Sequence, residues 1–433
     1  MNLTEDQILL LAPDEPSKKA GKDLSNPSKW VTKGSTTEAV WGECQGSGSK
    51  PYQTGIDLSN LAFKCSCPSR KFPCKHGIAL GLLYARSGAG FGDSEAPAWV
   101  MEWINKRAQK EEKKTEVKDK PVDEAAQAKR QAAREQKVAD GIEELLLWIK
   151  DIVRNGLLHV PEKGYPFWEG ASRRMVDAQA PGLAGMVRAL GNTPFYKEGW
   201  QTPFLDNLLN LYLLAKGYQK RESLSPLLLQ DIRTWIGFTV SQEELKEKPG
   251  VLDTWLVVGK QTTDDDNLAV ERSWLYGTNS KQYAVVLQFI VRGQGASLLL
   301  SPGMAIEAEL VFYPSVAPLR ALVKRQIAST AQPSVQFLSS WCQVAEAETS
   351  LCSLLPVRGE RPYAVTNLTP VRYNGRWWLK DSQSHLVNLK EDFTGIWKLL
   401  ALSGGHPLDL VVLGKENVYE PLGVWAGQTY KPI

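Results

Sequence analysis

The spacing of apolar residues along the chain changes twice, and the changes separate three regions. Up to about residue 104, short apolar or alternating runs predict strands and brief helices. Between 138 and 250, apolar residues recur every three or four positions, as they do on helices. From 251 to 433, runs of β-branched and aromatic residues lie between Gly, Pro, Asn and Asp and predict strands. The pattern therefore predicts an α+β multidomain protein with a central helical domain and a β-rich C-terminal domain.

The central region, 138–250, is predicted to be a bundle of helices. A first helix carries apolar residues from Ile142 to Val153 and ends at Gly156. Further helices are predicted at 171–178, 183–190, 203–216 and 224–235. On the first of these, Arg173 and Asp177 stand one turn apart and are expected to pair. A bundle of this size is typical of a scaffold or an interaction surface.

The two flanking regions are predicted to contain strands. In the N-terminal unit, 1–104, a short helix before Pro13 is followed by a polar connection over 14–29. A hairpin of 36–44 with 52–58 and a strand at 61–65 come next. In the C-terminal region strands are predicted at 254–259, 283–291, 306–313 and 370–379.

Residues 105–137 differ in composition from both neighbours. The first part is a mixed run of Lys and Glu with almost no apolar content, and the part from 125 onward is rich in Ala. Such a run is typical of a solvated linker, and its second half is predicted to form an exposed helix that leads into the bundle. Residues 105–137 are therefore predicted to be a charged linker.

Four potential metal ligands fall within twelve residues in the pattern C-x-C-x6-C-x-H. They are Cys65, Cys67, Cys74 and His76, in a chain with six Cys and four His. Residues two apart on an extended strand point to the same face, so the two ligands of a C-x-C or C-x-H pair can reach the same ion. The intervening loop contains Pro68 and Pro73, which favour a turn. Three thiolates and one imidazole suit a tetrahedral zinc ion with no open position.

The apolar run at 77–86 predicts a helix that starts at or just after the last ligand, so the unit is strand, strand, metal loop, helix. This pattern resembles the SWIM zinc finger, a β-β-α module with C-x-C, a variable loop and C-x-H. All four ligand positions match, and segments 41–52 and 173–182 also resemble bacterial SWIM zinc finger domain-containing proteins. The finger would span about 52–88. The resemblance implies binding to DNA or protein and no reaction of its own.

A disulfide pair and a catalytic zinc are the alternatives for this cluster. Sparse Cys and an N-terminus without a secretory signal favour a reduced, cytoplasmic chain, and redox catalysis more usually shows C-x-x-C. No carboxylate lies beside the ligands, and all four positions are filled. We therefore expect one structural Zn²⁺ that closes a module too small to fold unaided.

Charge adds information only locally. The chain is 43% hydrophobic and 23% charged with a net charge of +3, which is ordinary for a globular protein and too mild to indicate nucleic acid. No 18-residue apolar stretch predicts a membrane span. From 58 to 92, however, Asp and Glu are absent, and five basic residues accompany the finger: Lys64, Arg70, Lys71, Lys75 and Arg86. They are candidate phosphate contacts, or they offset the negative charge of a tris-thiolate zinc site.

The remaining candidates are weaker. Asp264, Asp265 and Asp266 lack the spacing of a calcium loop and indicate a solvated turn. Four further residues stand without partners at metal spacing: Cys342, Cys352, His385 and His406. No catalytic motif is found, so we expect no enzyme. The leading hypothesis is a zinc-dependent protein that binds DNA or another nucleic acid through its basic finger. The alternative is a zinc-stapled adaptor for a protein partner.

Overall fold

A computed structural model of the chain confirms the predicted α+β organisation. It has an N-terminal zinc-finger unit, a central helical region and a β-rich C-terminal region. The residues that the structure describes are 5–13, 15–46, 50–58, 62–69, 71, 73–87, 91, 95–116, 124–265, 268–291, 298, 300–327, 334–427 and 429–433.

The N-terminal unit is a four-stranded antiparallel sheet covered on both faces by helices. Its elements are α1 (Glu5–Leu10), α2 (Glu15–Leu24), β1 (Trp30–Ser35), β2 (Ala39–Cys44), β3 (Tyr52–Asp57), β4 (Ala62–Cys65), α3 (Lys75–Ser87) and α4 (Ala98–Glu116). Helix α3 packs Ile78 and Leu82 against Ile56 and Phe63 on one face. Helix α4 covers the other face, because alternate strand residues point to opposite sides of the sheet.

The predicted polar connection over 14–29 is wrong, because most of it is helix α2. This helix buries Ser17 and Gly21 instead of large apolar residues, so its sequence lacks the apolar stripe that signals an amphipathic helix. A Cβ atom at Gly21 would lie 2.5 Å from Cγ2 of Ile78. The close approach of α2 to α3 therefore requires glycine there. Strand β1, which follows α2, was also not predicted.

The central region forms a helical bundle around one apolar core. Its helices are α5 (Glu124–Arg154), α6 (Tyr165–Asp177), α7 (Pro181–Gly191), α8 (Gln201–Gln219), α9 (Pro226–Ile236) and α10 (Gln242–Glu247). Arg173 pairs with Glu169, at 3.1 Å, and not with Asp177 as predicted, because helical side chains lean toward the N-terminus. The predicted linker is helical at both ends: residues 105–116 belong to α4, and 124–137 are continuous with the first bundle helix. None of the described helices is long and apolar enough to cross a membrane.

The C-terminal region begins with a closed five-stranded barrel. Its strands are β5 (Val251–Asp265), β6 (Leu268–Gly277), β7 (Tyr283–Val291), β8 (Ala305–Phe312) and β9 (Arg320–Ile327). They follow the order β5-β6-β7-β9-β8, and only β7 and β9 pair in parallel. This is the strand arrangement of an OB-type barrel. Trp255, Leu275 and Leu310 fill its interior.

A six-stranded sheet with two helices completes the chain. Its elements are α11 (Trp341–Leu354), β10 (Arg361–Tyr373), β11 (Arg376–Lys380), β12 (Leu386–Leu389), α12 (Ile396–Ser403), β13 (Leu408–Lys415), β14 (Val418–Ala426) and β15 (Thr429–Pro432). The single strand predicted at 370–379 is a hairpin, in which Tyr373 pairs with Arg376. Asn374 and Gly375, with φ of 48° and 76°, form its two-residue turn, for which Asn-Gly is the preferred sequence.

The barrel and this sheet share an apolar interface. On the outer barrel face, Trp274 and Tyr276 pack in one buried cluster with Val411 and Leu413 of the sheet. The hydroxyl of Tyr430 donates to the carbonyl of Val258 at 2.6 Å. Part of the outer surface of the barrel is therefore occupied by the chain itself.

Two glycines on α7 test the packing of α7 against α9. A Cβ atom at Gly182 would lie 1.9 Å from the carbonyl oxygen of Trp235, whereas nothing lies within 4 Å of one at Gly185. We expect Gly182→Ala to destabilise the bundle by about 1–3 kcal/mol through overpacking. Gly185→Ala should stabilise it by up to about 1 kcal/mol, because alanine favours the helix. Thermal unfolding followed by circular dichroism checks both, and equal effects would contradict the described contact.

Candidate metal centre

The four predicted ligands come from the end of a strand, a loop and the start of a helix. Cys65 is the last residue of β4, and Cys67 follows it in the loop. Cys74 immediately precedes α3, and His76 lies in its first turn. The amide of Ser66 donates to the carbonyl of Gln53 at 2.9 Å, which extends the pairing of β4 with β3 into the loop. The sheet thus positions the first ligand pair, and the helix positions the second.

The ligand atoms of all four residues lie within 4.8 Å of one another. The Sγ atoms of Cys65 and Cys74 are 3.7 and 3.9 Å from Nδ1 of His76. These separations suit sulfur and nitrogen ligands at about 2.3 and 2.0 Å from a shared tetrahedral zinc. The donor set fits one structural zinc ion, with no position left open.

Neighbouring side chains support the ligands. The hydroxyl of Thr54 lies 3.3 Å from Sγ of Cys65, where it can donate to a thiolate. The ring of Tyr52 packs against that of His76, with centroids 4.9 Å apart. Cys74 and His76 are buried. These contacts hold the ligands in place, as the surroundings of metal ligands commonly do.

Without a metal, the cluster shares its protons unevenly. Hydrogen bonds from Cys65 and Cys74 hold the pKa of Cys67 well below its usual range. Hydrogen bonds with Cys65 and Cys67, together with burial, hold the pKa of Cys74 well above it. Burial lowers the pKa of His76, but the hydrogen bonds and charges of Cys65 and Cys67 outweigh burial and raise it to about 9. Zinc must therefore displace protons that the cluster holds at neutral pH.

The geometry defines a small β-sheet module that is closed by a structural zinc ion. Residues 56–83 match the family model described as SWIM zinc finger, and residues 133–236 match the one described as SWIM-associated four-helix bundle domain. The chain therefore contains a SWIM-type zinc finger and a SWIM-associated helical domain. Neither the curated proteins nor the solved structures include a significant match to it.

The five predicted basic residues do not form one surface. Nζ of Lys64 lies 5.8 and 5.9 Å from the ring centroids of Trp99 and Trp103, on the sheet face that α4 covers. Arg86, near the far end of α3, pairs with Glu5 at 2.7 Å. Both residues therefore have partners within the unit, although Lys64 is exposed.

The other three predicted residues belong to the metal loop or the start of α3. Lys71 and Lys75 are exposed there, whereas Arg70 lies outside the described residues. A basic residue that the sequence did not single out joins them. Burial and the charge of Cys65 raise the pKa of the Cys44 thiol, and the charges of Lys75 and Lys29 oppose this rise. The amide of Gln45, next to Cys44, donates to the carbonyl of Lys29 at 2.8 Å, so Lys29 lies beside this thiol, although 46 positions separate it from Lys75 in the sequence.

Two residues that were predicted to stand alone, Cys342 and His385, are in contact. Sγ of Cys342 lies 3.8 Å from Nδ1 of His385, and that nitrogen lies 3.2 Å from Oδ2 of Asp381. Cys342 and His385 are 43 positions apart, so no local motif could reveal the contact.

Removal of one ligand should release the metal and unfold the finger. We expect Cys74→Ala to lose the zinc equivalent and the folding of the N-terminal unit, because a structural zinc contributes about 10–16 kcal/mol. The bundle, barrel and C-terminal sheet should remain folded on their own cores. Elemental analysis and circular dichroism check this expectation. The matched control is Cys44→Ala, a buried cysteine outside the cluster, which should retain its zinc. Full zinc content in Cys74→Ala would contradict the assignment.

Zinc affinity should rise with pH. Because the pKa of His76 is raised to about 9, this imidazole is protonated in the metal-free site at neutral pH, and zinc must expel the proton. Below that pKa, the apparent affinity for zinc should rise about tenfold per pH unit for each proton that zinc displaces. Chelator competition at pH values from about 6 to about 8 measures the trend. A zinc affinity that does not change over this range would show that no proton is displaced.

Proposed function

We infer that the protein binds the phosphate backbone of nucleic acid, such as DNA, through the lysine-rich end of its zinc finger. The observation that carries this inference is that three lysines are exposed at this end of the finger. Lys71 and Lys75 lie in or beside the metal loop, and Lys29 lies on the segment that pairs with the end of β2. Ammonium groups held on a zinc-closed module are suited to neutralise phosphates without reading bases. The expected binding is therefore salt-sensitive and largely independent of sequence.

The charge balance at this end supports the inference. Three thiolates and Zn²⁺ carry a formal charge of about −1, which a single lysine would offset. Lys29 and Lys75 alone carry two positive charges near this site. None of the ion pairs in the described part of the chain involves Lys29 or Lys75, so their charges are available to a ligand. Compensation of the metal site alone does not account for this surplus.

The proposed role is that of a binding protein in the cytoplasm, with no enzymatic activity. Its zinc has four side-chain ligands and no position for a substrate or a water molecule. All six cysteines are free of disulfides, which fits a reducing compartment.

A protein-interaction adaptor is the second candidate, and one feature of the bundle favours it. Leu205, Leu209 and Leu213 follow one another at intervals of four on α8, and their exposed fractions are 42%, 53% and 40%. A helix that is apolar on both its buried and its exposed side is more typical of one with a further packing partner. Binding that depends on this stripe and resists salt would favour the adaptor.

A charge reversal tests the nucleic-acid proposal. We expect the double variant Lys29→Glu, Lys75→Glu to bind duplex or single-stranded DNA at least about tenfold more weakly at about 50 mM salt. The slope of log affinity against log salt should fall by about 2, one for each lost phosphate contact. Fluorescence anisotropy titrations at several salt concentrations measure both quantities on the zinc-loaded chain.

The matched control makes the same change of net charge, but on the helical bundle. Lys150 and Lys220 are exposed there, and Lys150→Glu, Lys220→Glu should bind as the unaltered protein does. Equal losses in the two double variants would show that only net charge matters. No binding by the unaltered protein at low salt would reject the proposal in favour of the adaptor.

A further inference from the structure

A cysteine, a histidine and an aspartate meet at the start of α11, far from the zinc ligands in sequence. Sγ of Cys342 lies 3.8 Å from Nδ1 and 3.9 Å from Nε2 of His385. The thiol therefore lies beside the imidazole at nearly equal distances from its two nitrogens, within reach of whichever one is unprotonated. Cys342 is exposed and the side chain of His385 is half-exposed, so the pair is open to reagents in solution.

Asp381 holds the histidine in place. Its side chain is fully buried and accepts from the amides of Trp341, Gln383 and His385 at 2.9, 2.9 and 2.8 Å. Burial alone would raise the pKa of Asp381, but these hydrogen bonds and that of the His385 ring hold it below its usual range. An ionised carboxylate 3.2 Å from Nδ1 orients the imidazole and favours a proton on that nitrogen.

The N-terminus of α11 also favours the thiolate form of Cys342. Cys342 is the second residue of α11, which has 14 residues. The N-terminus of a helix carries a partial positive charge, and thiolates beside such a terminus and a histidine are typical of reactive cysteines. Cys352 provides an internal comparison. It is also exposed but lies near the C-terminus of the same helix, where the field opposes a thiolate.

We propose that Cys342, activated by His385 and Asp381, is a site of reversible covalent modification by thiol–disulfide exchange with small-molecule disulfides. The Cys342 thiolate attacks one sulfur of the disulfide and forms a new S–S bond. The other sulfur leaves as a thiolate and takes up the proton that Cys342 gave to the imidazole. The disulfide supplies the oxidising equivalents, His385 takes up the thiol proton, and Asp381 acts as a positioning residue.

The test measures the modification of each cysteine in the zinc-loaded full chain. Glutathione disulfide is added near neutral pH, and peptide mass spectrometry follows the mixed disulfides at Cys342 and Cys352 over time. We expect Cys342 to react about tenfold faster than Cys352. The two rates should become about equal in guanidinium, because unfolding removes both the imidazole and the helix field.

The variant His385→Gln separates the role of the imidazole from simple exposure. Its site is half-exposed, so the fold should persist, and circular dichroism and zinc content verify this. We expect the rate ratio of Cys342 to Cys352 to fall at least about threefold in this variant. A ratio near one in the native chain, or an unchanged ratio in folded His385→Gln, would overturn the proposal. Neither result depends on nucleic-acid binding.

Discussion

Coordination of one zinc ion is the constraint on which the N-terminal unit depends. It joins the end of β4 to the start of α3 across a short loop. The core of this unit is divided between the two faces of a four-stranded sheet. Metal coordination adds to the apolar packing of α3 on the sheet, since so small a module gains little stability from its core alone.

The other regions are held by ordinary burial, and they share their surfaces with one another. The outer face of the barrel packs Trp274 and Tyr276 against the C-terminal sheet, so part of the surface through which OB-type barrels commonly bind ligands is already occupied. The strand arrangement alone therefore assigns no ligand to this region. The lysines around the metal loop and the thiol at the start of α11 are surface features with their own chemistry. Both features are exposed, so a ligand or a reagent in solution can reach them.

The same residue types serve different purposes at different places in the finger. Lys64 lies over two tryptophans and Arg86 pairs with Glu5, so each stabilises the fold. Lys29 and Lys75 share one end of the unit and have no ion pair among the described residues. A count of basic residues along the sequence treats all of them alike. Only their positions separate packing from a surface that can meet phosphate.

The sequence by itself determined the zinc ligands and the order of helical and β-rich regions, because both depend on local spacing. The four ligands fall within twelve residues at the end of β4 and the start of α3, whereas the Asn374-Gly375 turn was missed within the strand predicted at 370–379, although its signal is equally local. Helix α2 was not predicted because it buries the small residues Ser17 and Gly21, and Gly21 packs against Ile78 of α3, which is distant in sequence. The closure of the barrel and the contact of Cys342 with His385 were decided by the tertiary structure. Each joins residues tens of positions apart, and only the packing of whole elements determines which of them meet.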